Sequence, residues 1–193
     1  MAQDWEQAAQ ALVEAFASTE PTPGGGSAAG VVAAIGCSLG RMASGISMRS
    51  KKADETAKAV LGEAHAAFQR MGERFLQLTR EDARAFDSVM EAYRLPKEDP
   101  SRGGKIQERL FSAAAVPLQT AEAAVQALLS AREMRPRTLG SVSSDMDCAA
   151  HLLEAAARCA LTNVGINLSL MKDDGRAKAL RERAEAVRRG LGA

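Results

Sequence analysis

Pro21-Thr22-Pro23-Gly24-Gly25-Gly26-Ser27-Ala28-Ala29-Gly30 opens the stretch that decides the fold, which continues as VVAAIGCSLGRMASGISM to Met48. Apolar residues recur at threes and fours through Ala28, Val31, Val32, Ile35, Leu39, Met42 and Ile46, so the spacing predicts a helix from Ser27 to about Met48. Gly30, Gly36, Gly40 and Gly45 lie inside it. Each glycine costs about 1 kcal/mol against alanine in a helix, so four together imply that close approach of another helix or a ligand repays the loss. This is the expected central helix. At its start, bare backbone N–H groups and the positive end of the helix dipole meet at one point, which suits an anionic or carbonyl-rich ligand, with Ser27 the expected N-cap. The same glycines serve equally well for plain close packing of two helices, since neither a Walker-type lysine nor a preceding strand accompanies them.

Working outward, Gln3 to Ala17 places Trp5, Ala8 or Ala9, Leu12, Val13 and Phe16 on one side of a short helix, expected to pack as a lid or dimer element. Downstream, a basic corner of Arg49, Lys51 and Lys52 precedes a long helical pattern from about Asp54 to Arg94. A third pattern runs from Ser101 to Glu133, where Pro117 is expected to kink or break the helix near Ala113 to Val116. After a loop over Met134 to Val142, Ser143 or Ser144 is the expected cap of a helix from about Asp145 to Met171. Gly175 to Gly190 reads as a charged, solvated terminal helix. The fold expected is all-α, a single-domain helical bundle over residues 1–193 with long, partly kinked helices.

Composition narrows the function. A formal net charge of +1, with acids and bases interspersed, gives no general attraction to nucleic acid or to an anionic membrane. The three cysteines, Cys37, Cys148 and Cys159, sit in apolar helical patterns and read as reduced, buried thiols, which points to the cytoplasm. With two histidines and no ligand cluster, no metal site is expected. No apolar run reads as approaching the roughly 18 residues of a membrane span.

One position breaks the apolar stripe of the long helix. Asp82 lies seven residues after Phe75, four before Phe86 and seven before Val89, which puts a carboxylate on the apolar face. Burial of an unpaired carboxylate costs several kcal/mol or raises its pKa, so Asp82 is either hydrogen-bonded structure or a working acid/base. Asn163 and Asn167, one turn apart in an apolar helix, need partners across an interface or on a ligand.

Taken in order, TPGGGSAAG at residues 22–30, DARAF at 82–86, VMEAYRLPK at 89–97, Val116-Pro117-Leu118, Ser144-Asp145, Asn163-Val164 and Ile166-Asn167-Leu168 give a chain that resembles the cyclodeaminase/cyclohydrolase family. That family includes the C-terminal domain of formiminotransferase-cyclodeaminase and bacterial methenyltetrahydrofolate cyclohydrolases, and the resemblance covers roughly Trp5 to Met171. It implies a helical homodimer that takes a tetrahydrofolate derivative as substrate, without metal, and acts by general acid/base catalysis on the carbon bridging N5 and N10. The activity implied is formiminotetrahydrofolate cyclodeaminase or methenyltetrahydrofolate cyclohydrolase.

By the same resemblance Asp82 is the catalytic acid/base, and Pro23, Gly24, Gly25, Gly26 and Ser27 line the folate pocket. Asp145, beside Ser144, meets the pterin, Lys51 and Lys52 meet the glutamate tail, and Asn163 joins the substrate site. Two departures from the family pattern, Ala53 after Lys52 in place of an aromatic and Gly140-Ser141 in place of Gly-Asn, motivate an alternative: a catalytically degenerate folate-binding or structural helical dimer.

Overall fold

The structure, a computed structural model, describes residues 2–172 and 175–192. It comprises α1 (Ala2–Ala17), α2 (Gly25–Met48), α3 (Glu55–Arg94), α4 (Arg102–Met134), α5 (Ser143–Leu170) and α6 (Gly175–Leu191), with 3-10 turns at Arg135–Arg137 and Gly140–Val142 and no strand among the described residues. The all-α expectation holds. Helices α2, α3, α4 and α5 form a ring in which each packs on the next and α5 closes back on α2. Gly30 lies by Phe75 and Thr79, Gly40 by Phe68 and Gly45 by His65, so α2 and α3 run antiparallel; Gly25 by Asn163 and Gly36 by Leu153 give α2 and α5 the same relation.

Small residues set the spacing of this ring. A methyl at Gly40 would lie 2.9 Å from the Phe68 ring, and one at Gly36 3.0 Å from Leu153 Cγ. Ala114, Ala121, Ala124 and Ala127 of α4 meet Ala156, Ala157 and Ala160 of α5 in the same core, all fully buried. Cys37 is buried among them, and burial pushes its thiol up to about 12.

Several local expectations need correction. Gly24, not Ser27, is the N-cap of α2, because the Ser27 side chain is drawn sideways to α3. Val142 precedes α5 without a side-chain cap, since Ser143 Oγ turns back to donate to the Gly140 carbonyl at 3.1 Å. Cys148 and Cys159 are exposed rather than buried. The terminal helix is amphipathic: Ala177, Leu180, Ala184, Val187 and Leu191 are buried at helical spacing, while Arg183 pairs with Glu122 of α4 at 2.7 Å. Helix α2 is, by length and composition, long and apolar enough to cross a membrane, contrary to the reading of its run as too short; its many small residues disguise this, and more than half of it is buried in the bundle.

Helix α4 continues through Pro117 without a break. Proline has no N–H, so the Ala113 carbonyl loses its usual partner one turn on. Asn167 Nδ2 of α5 donates to that carbonyl at 2.7 Å. Asn167→Ala should therefore cost about 1–3 kcal/mol in urea unfolding, because a carbonyl next to the core is left unmatched. Adding Pro117→Ala, which returns an N–H to the helix, should recover most of that loss; an equal loss in both backgrounds would contradict this assignment.

Candidate active site

The first backbone bond of α2 runs from Ala28 N–H to the Gly24 carbonyl at 2.9 Å, so the N–H groups of Gly25, Gly26 and Ser27 are left over by the helix. Asp82, from the middle of α3, fills that gap. Its Oδ2 accepts from Ser27 Oγ at 2.9 Å, and the backbone N–H of Ser27 also donates to the carboxylate. A carboxylate 55 residues away in sequence thus caps the helix. Seating it requires glycine, since a methyl at Gly26 would overlap the Asp82 carboxylate. Ser27 is fully buried. On the other side, Thr79 Oγ1 donates to the Phe75 carbonyl at 3.0 Å and sits where a side chain at Gly30 would have to go.

Two influences oppose each other on this carboxyl. Burial pushes it above the usual carboxylate range, and the two Ser27 donors, which favour the charged form, pull it back; burial dominates. The result is a carboxyl able to give and take a proton at higher pH than an ordinary aspartate.

Asp82 faces a cavity of about 350 Å³ at this end of the bundle, within the size range of small-molecule sites. Bare glycine backbone from residues 24–26 forms one wall. Phe86, Met90 and Tyr93 of α3 with Ile166 and Leu170 of α5 form an apolar mouth, and all but Phe86 are exposed. Polar side chains are few: Thr22, Asp82, Asn163 and Asn167, with the Tyr93 hydroxyl. One amide hydrogen of Asn163 is spent on the Cys159 carbonyl at 3.0 Å, while the amide as a whole lies against Gly25. Hollows of about 400 and 490 Å³ elsewhere on the surface are larger, but neither adjoins the N-terminus of a long helix.

Of the residues picked from sequence, Gly24, Gly25, Gly26, Asp82 and Asn163 line this cavity, and Ser27 stands behind Asp82. Pro23 lies in the turn between lining residues Thr22 and Gly24. Lys51, Lys52, Ser144 and Asp145 are elsewhere. Lys51 and Lys52 are exposed beyond the far end of α2, whose 24 residues span about 36 Å. Because α5 runs antiparallel to α2, Ser144 and Asp145 lie at that far end too, about 27 Å along α5 from Asn163.

The family model for formiminotransferase-cyclodeaminase matches residues 8–186. The chain belongs to the formiminotransferase-cyclodeaminase family. Among relatives, it is 35% identical over 170 residues to the mouse formimidoyltransferase-cyclodeaminase, covering 84% of this chain and 31% of that protein. It is 32% identical over 168 residues to the methenyltetrahydrofolate cyclohydrolase of Methylorubrum extorquens, covering 85% and 80%. The crystal structure of formiminotetrahydrofolate cyclodeaminase from Thermotoga maritima superposes with a TM-score of 0.85 at 26% identity, over 94% of this chain and 88% of that one. This chain therefore spans about a third of the mouse relative and most of the bacterial ones.

Sequence reasoning missed the apolar mouth. Met90, Tyr93, Ile166 and Leu170 continue the same helical stripes as true core residues, and nothing in their spacing marks the level at which the bundle opens. Asn167 was legible as needing a partner, but its pairing with Ala113 follows from Pro117 only once α4 and α5 are neighbours.

In this family member Ser27→Ala removes a bond that favours the Asp82 carboxylate, so the carboxyl should titrate still higher. The 13C titration midpoint of the Asp82 carboxyl should move to higher pH, and Ser27→Thr should move it back. A midpoint that stays in place would remove Ser27 from the control of Asp82.

Proposed function

We propose that this chain is a folate one-carbon enzyme, a formiminotetrahydrofolate cyclodeaminase or methenyltetrahydrofolate cyclohydrolase, with Asp82 as its general acid/base. The observation that carries the reading is a half-buried carboxyl that burial pushes above the usual carboxylate range, held on the N-terminus of α2 and facing a glycine-walled cavity with an apolar mouth. The names of the relatives supply the substrate class.

Both reactions suit one such carboxyl. In the deaminase, N10 attacks the formimino carbon on N5, a tetrahedral carbon forms, and ammonia leaves once its nitrogen is protonated. In the hydrolase, water attacks the methenyl carbon, loses a proton, and the bond to N5 breaks as that nitrogen is protonated. Each needs one proton taken and one given at neighbouring atoms, which a carboxyl able to do both supplies. The bare backbone at Gly24 to Gly26 admits a flat ring system close to Asp82, and the ring faces of Phe86 and Tyr93 suit the folate's aromatic parts. The protein acts as a homodimer in the cytoplasm; its free thiols and the apolar outer face of α2 support this reading.

Absorbance of the methenyl group tests the proposal and separates its branches. A rise from 5-formiminotetrahydrofolate identifies the deaminase, and a fall faster than the uncatalysed rate from 5,10-methenyltetrahydrofolate identifies the hydrolase. Turnover of neither, with a tetrahydrofolate analogue still bound, selects the catalytically degenerate reading that the displaced Lys51, Lys52 and Asp145 favour.

Asp82→Asn should lower turnover by about 100-fold or more. Its effect on stability should have the opposite sign. A carboxyl whose folded pKa is raised contributes stability that is full below its unfolded pKa and is lost as pH rises through the folded one. At pH above the folded pKa the wild type has lost that contribution, so there Asp82→Asn should melt at the same temperature or higher, and the difference should shrink as pH falls. Wild-type rates in this variant would remove Asp82 from the mechanism.

A further inference from the structure

Asn163 and Asn167 stand one turn apart on α5, and both are half-buried in the wall of the cavity. Each spends its nitrogen on a backbone carbonyl. Asn163 Nδ2 donates to the Cys159 carbonyl at 3.0 Å. Asn167 Nδ2 donates at 2.7 Å to the Ala113 carbonyl, which Pro117 leaves without its usual helical partner. A carbonyl only accepts, so the atom facing it must be the amide nitrogen, and the flip of both side chains is fixed. Each oxygen is thereby left over: nothing among the described residues donates to either Oδ1. A half-buried acceptor without a donor is costly, and a ligand that brings N–H groups removes the cost.

The placement of the two amides relative to Asp82 narrows which ligand groups they meet. Asn163 lies against Gly25 and Asp82 against Gly26, so they flank the first turn of α2 from α5 and from α3. Both of those helices are antiparallel to α2 and run on past its N-terminus in the same direction. Asn167 is therefore about 6 Å nearer the mouth than the level of Asp82, and Phe86, one turn beyond Asp82 on α3, stands at that same level. Of the other polar side chains in the wall, Thr22 belongs to the turn before α2 and the Tyr93 hydroxyl to the mouth. Lys51, Lys52, Ser144 and Asp145 lie at the far end of α2. The two amides are what remains to recognise a polar ring edge inside the cavity. Being neutral, they hold N–H groups without setting a second negative charge beside Asp82.

We infer that Asn163 and Asn167 read the polar edge of the substrate's pterin, each Oδ1 accepting from an N–H, with Asn167 taking the 2-amino group. That amino group is at the far end of the fused ring from N5, the nitrogen that must sit by Asp82, and Asn167 is the acceptor displaced from Asp82 along the cavity. A ring N–H nearer the reacting carbon falls to Asn163. Pro117 then takes part in recognition, because the carbonyl it frees is what fixes the Asn167 amide with its oxygen unspent. The inference rests on the proposed folate reaction for the identity of the ring.

Calorimetric titration tests it, with 5-methyltetrahydrofolate, whose methyl carbon neither reaction attacks, and with its analogue bearing hydrogen in place of the 2-amino group. The wild type should bind the second ligand about tenfold more weakly. Asn167→Ala should bind 5-methyltetrahydrofolate about tenfold more weakly than the wild type does, and should no longer distinguish the two ligands. Asn163→Ala should also bind more weakly but keep the preference for the amino group. Because Asn167→Ala removes the bond to the Ala113 carbonyl as well, the Asn167→Ala/Pro117→Ala protein separates recognition from support: stability in urea should return and affinity should not. Affinity that returns with stability, a wild type indifferent to the amino group, or an Asn167→Ala protein that still prefers it overturns the inference and leaves folate binding intact. A preference lost from Asn163→Ala instead overturns it too. A wild type that binds neither ligand overturns the folate reading and this inference with it.

Discussion

The structure depends on the seating of one carboxylate beneath the first turn of α2. Asp82 can reach the Ser27 donors only because Gly26 leaves no side chain in its way. Continuing that close approach along the ring requires Gly30 against α3 and Gly36 against α5, then Gly40 over Phe68. Each glycine weakens α2 as an isolated helix by about 1 kcal/mol. The helix persists because its neighbours press on both sides, and the carboxylate satisfies the Ser27 N–H that would otherwise be left at its start.

Two consequences follow from the same constraint. With its inner face reserved for small residues, α2 must carry its bulk outside, which is why Ile35, Met42 and Ile46 are exposed and why the helix is apolar enough to span a bilayer by length and composition alone. The second concerns acidity. A helix N-terminus and two serine donors favour the ionised carboxylate, yet burial outweighs them. A surface aspartate feels no such burial, whereas a carboxyl at this seat holds its proton to higher pH. The Pro117–Asn167 arrangement serves the same end of the bundle, joining α4 to α5 beside the cavity by a bond that neither helix makes alone.

Much of this was legible in the sequence. Helical periodicity placed the long helices within a few residues, and the glycines of α2 announced close approach. Asp82 stood out because a charge interrupts the run from Phe75 to Val89. What spacing could not convey was depth and partnership. The stripe of α2 was readable, but which side would face the core depends on residue size against particular neighbours. Ser27 looked like a cap because its partner lies 55 residues away. Cys148 and Cys159 follow apolar spacing yet lie on the open side of α5. Lys51, Lys52, Ser144 and Asp145 belong to motifs in sequence order, and order along the chain carries no information about which end of a 24-residue helix a residue occupies.

The central claim is that the carboxyl held on α2 is the group whose protonation controls turnover. A titration of the protein labelled with 13C at its aspartate carboxyls, with Asp82→Asn used to assign the resonance, tests this most directly. The account predicts that Asp82 titrates above the ordinary carboxylate range and that its midpoint in the free protein coincides with a limb of the pH dependence of kcat/KM. An Asp82 midpoint at the ordinary value, or a kinetic limb that does not coincide with it, would contradict the account.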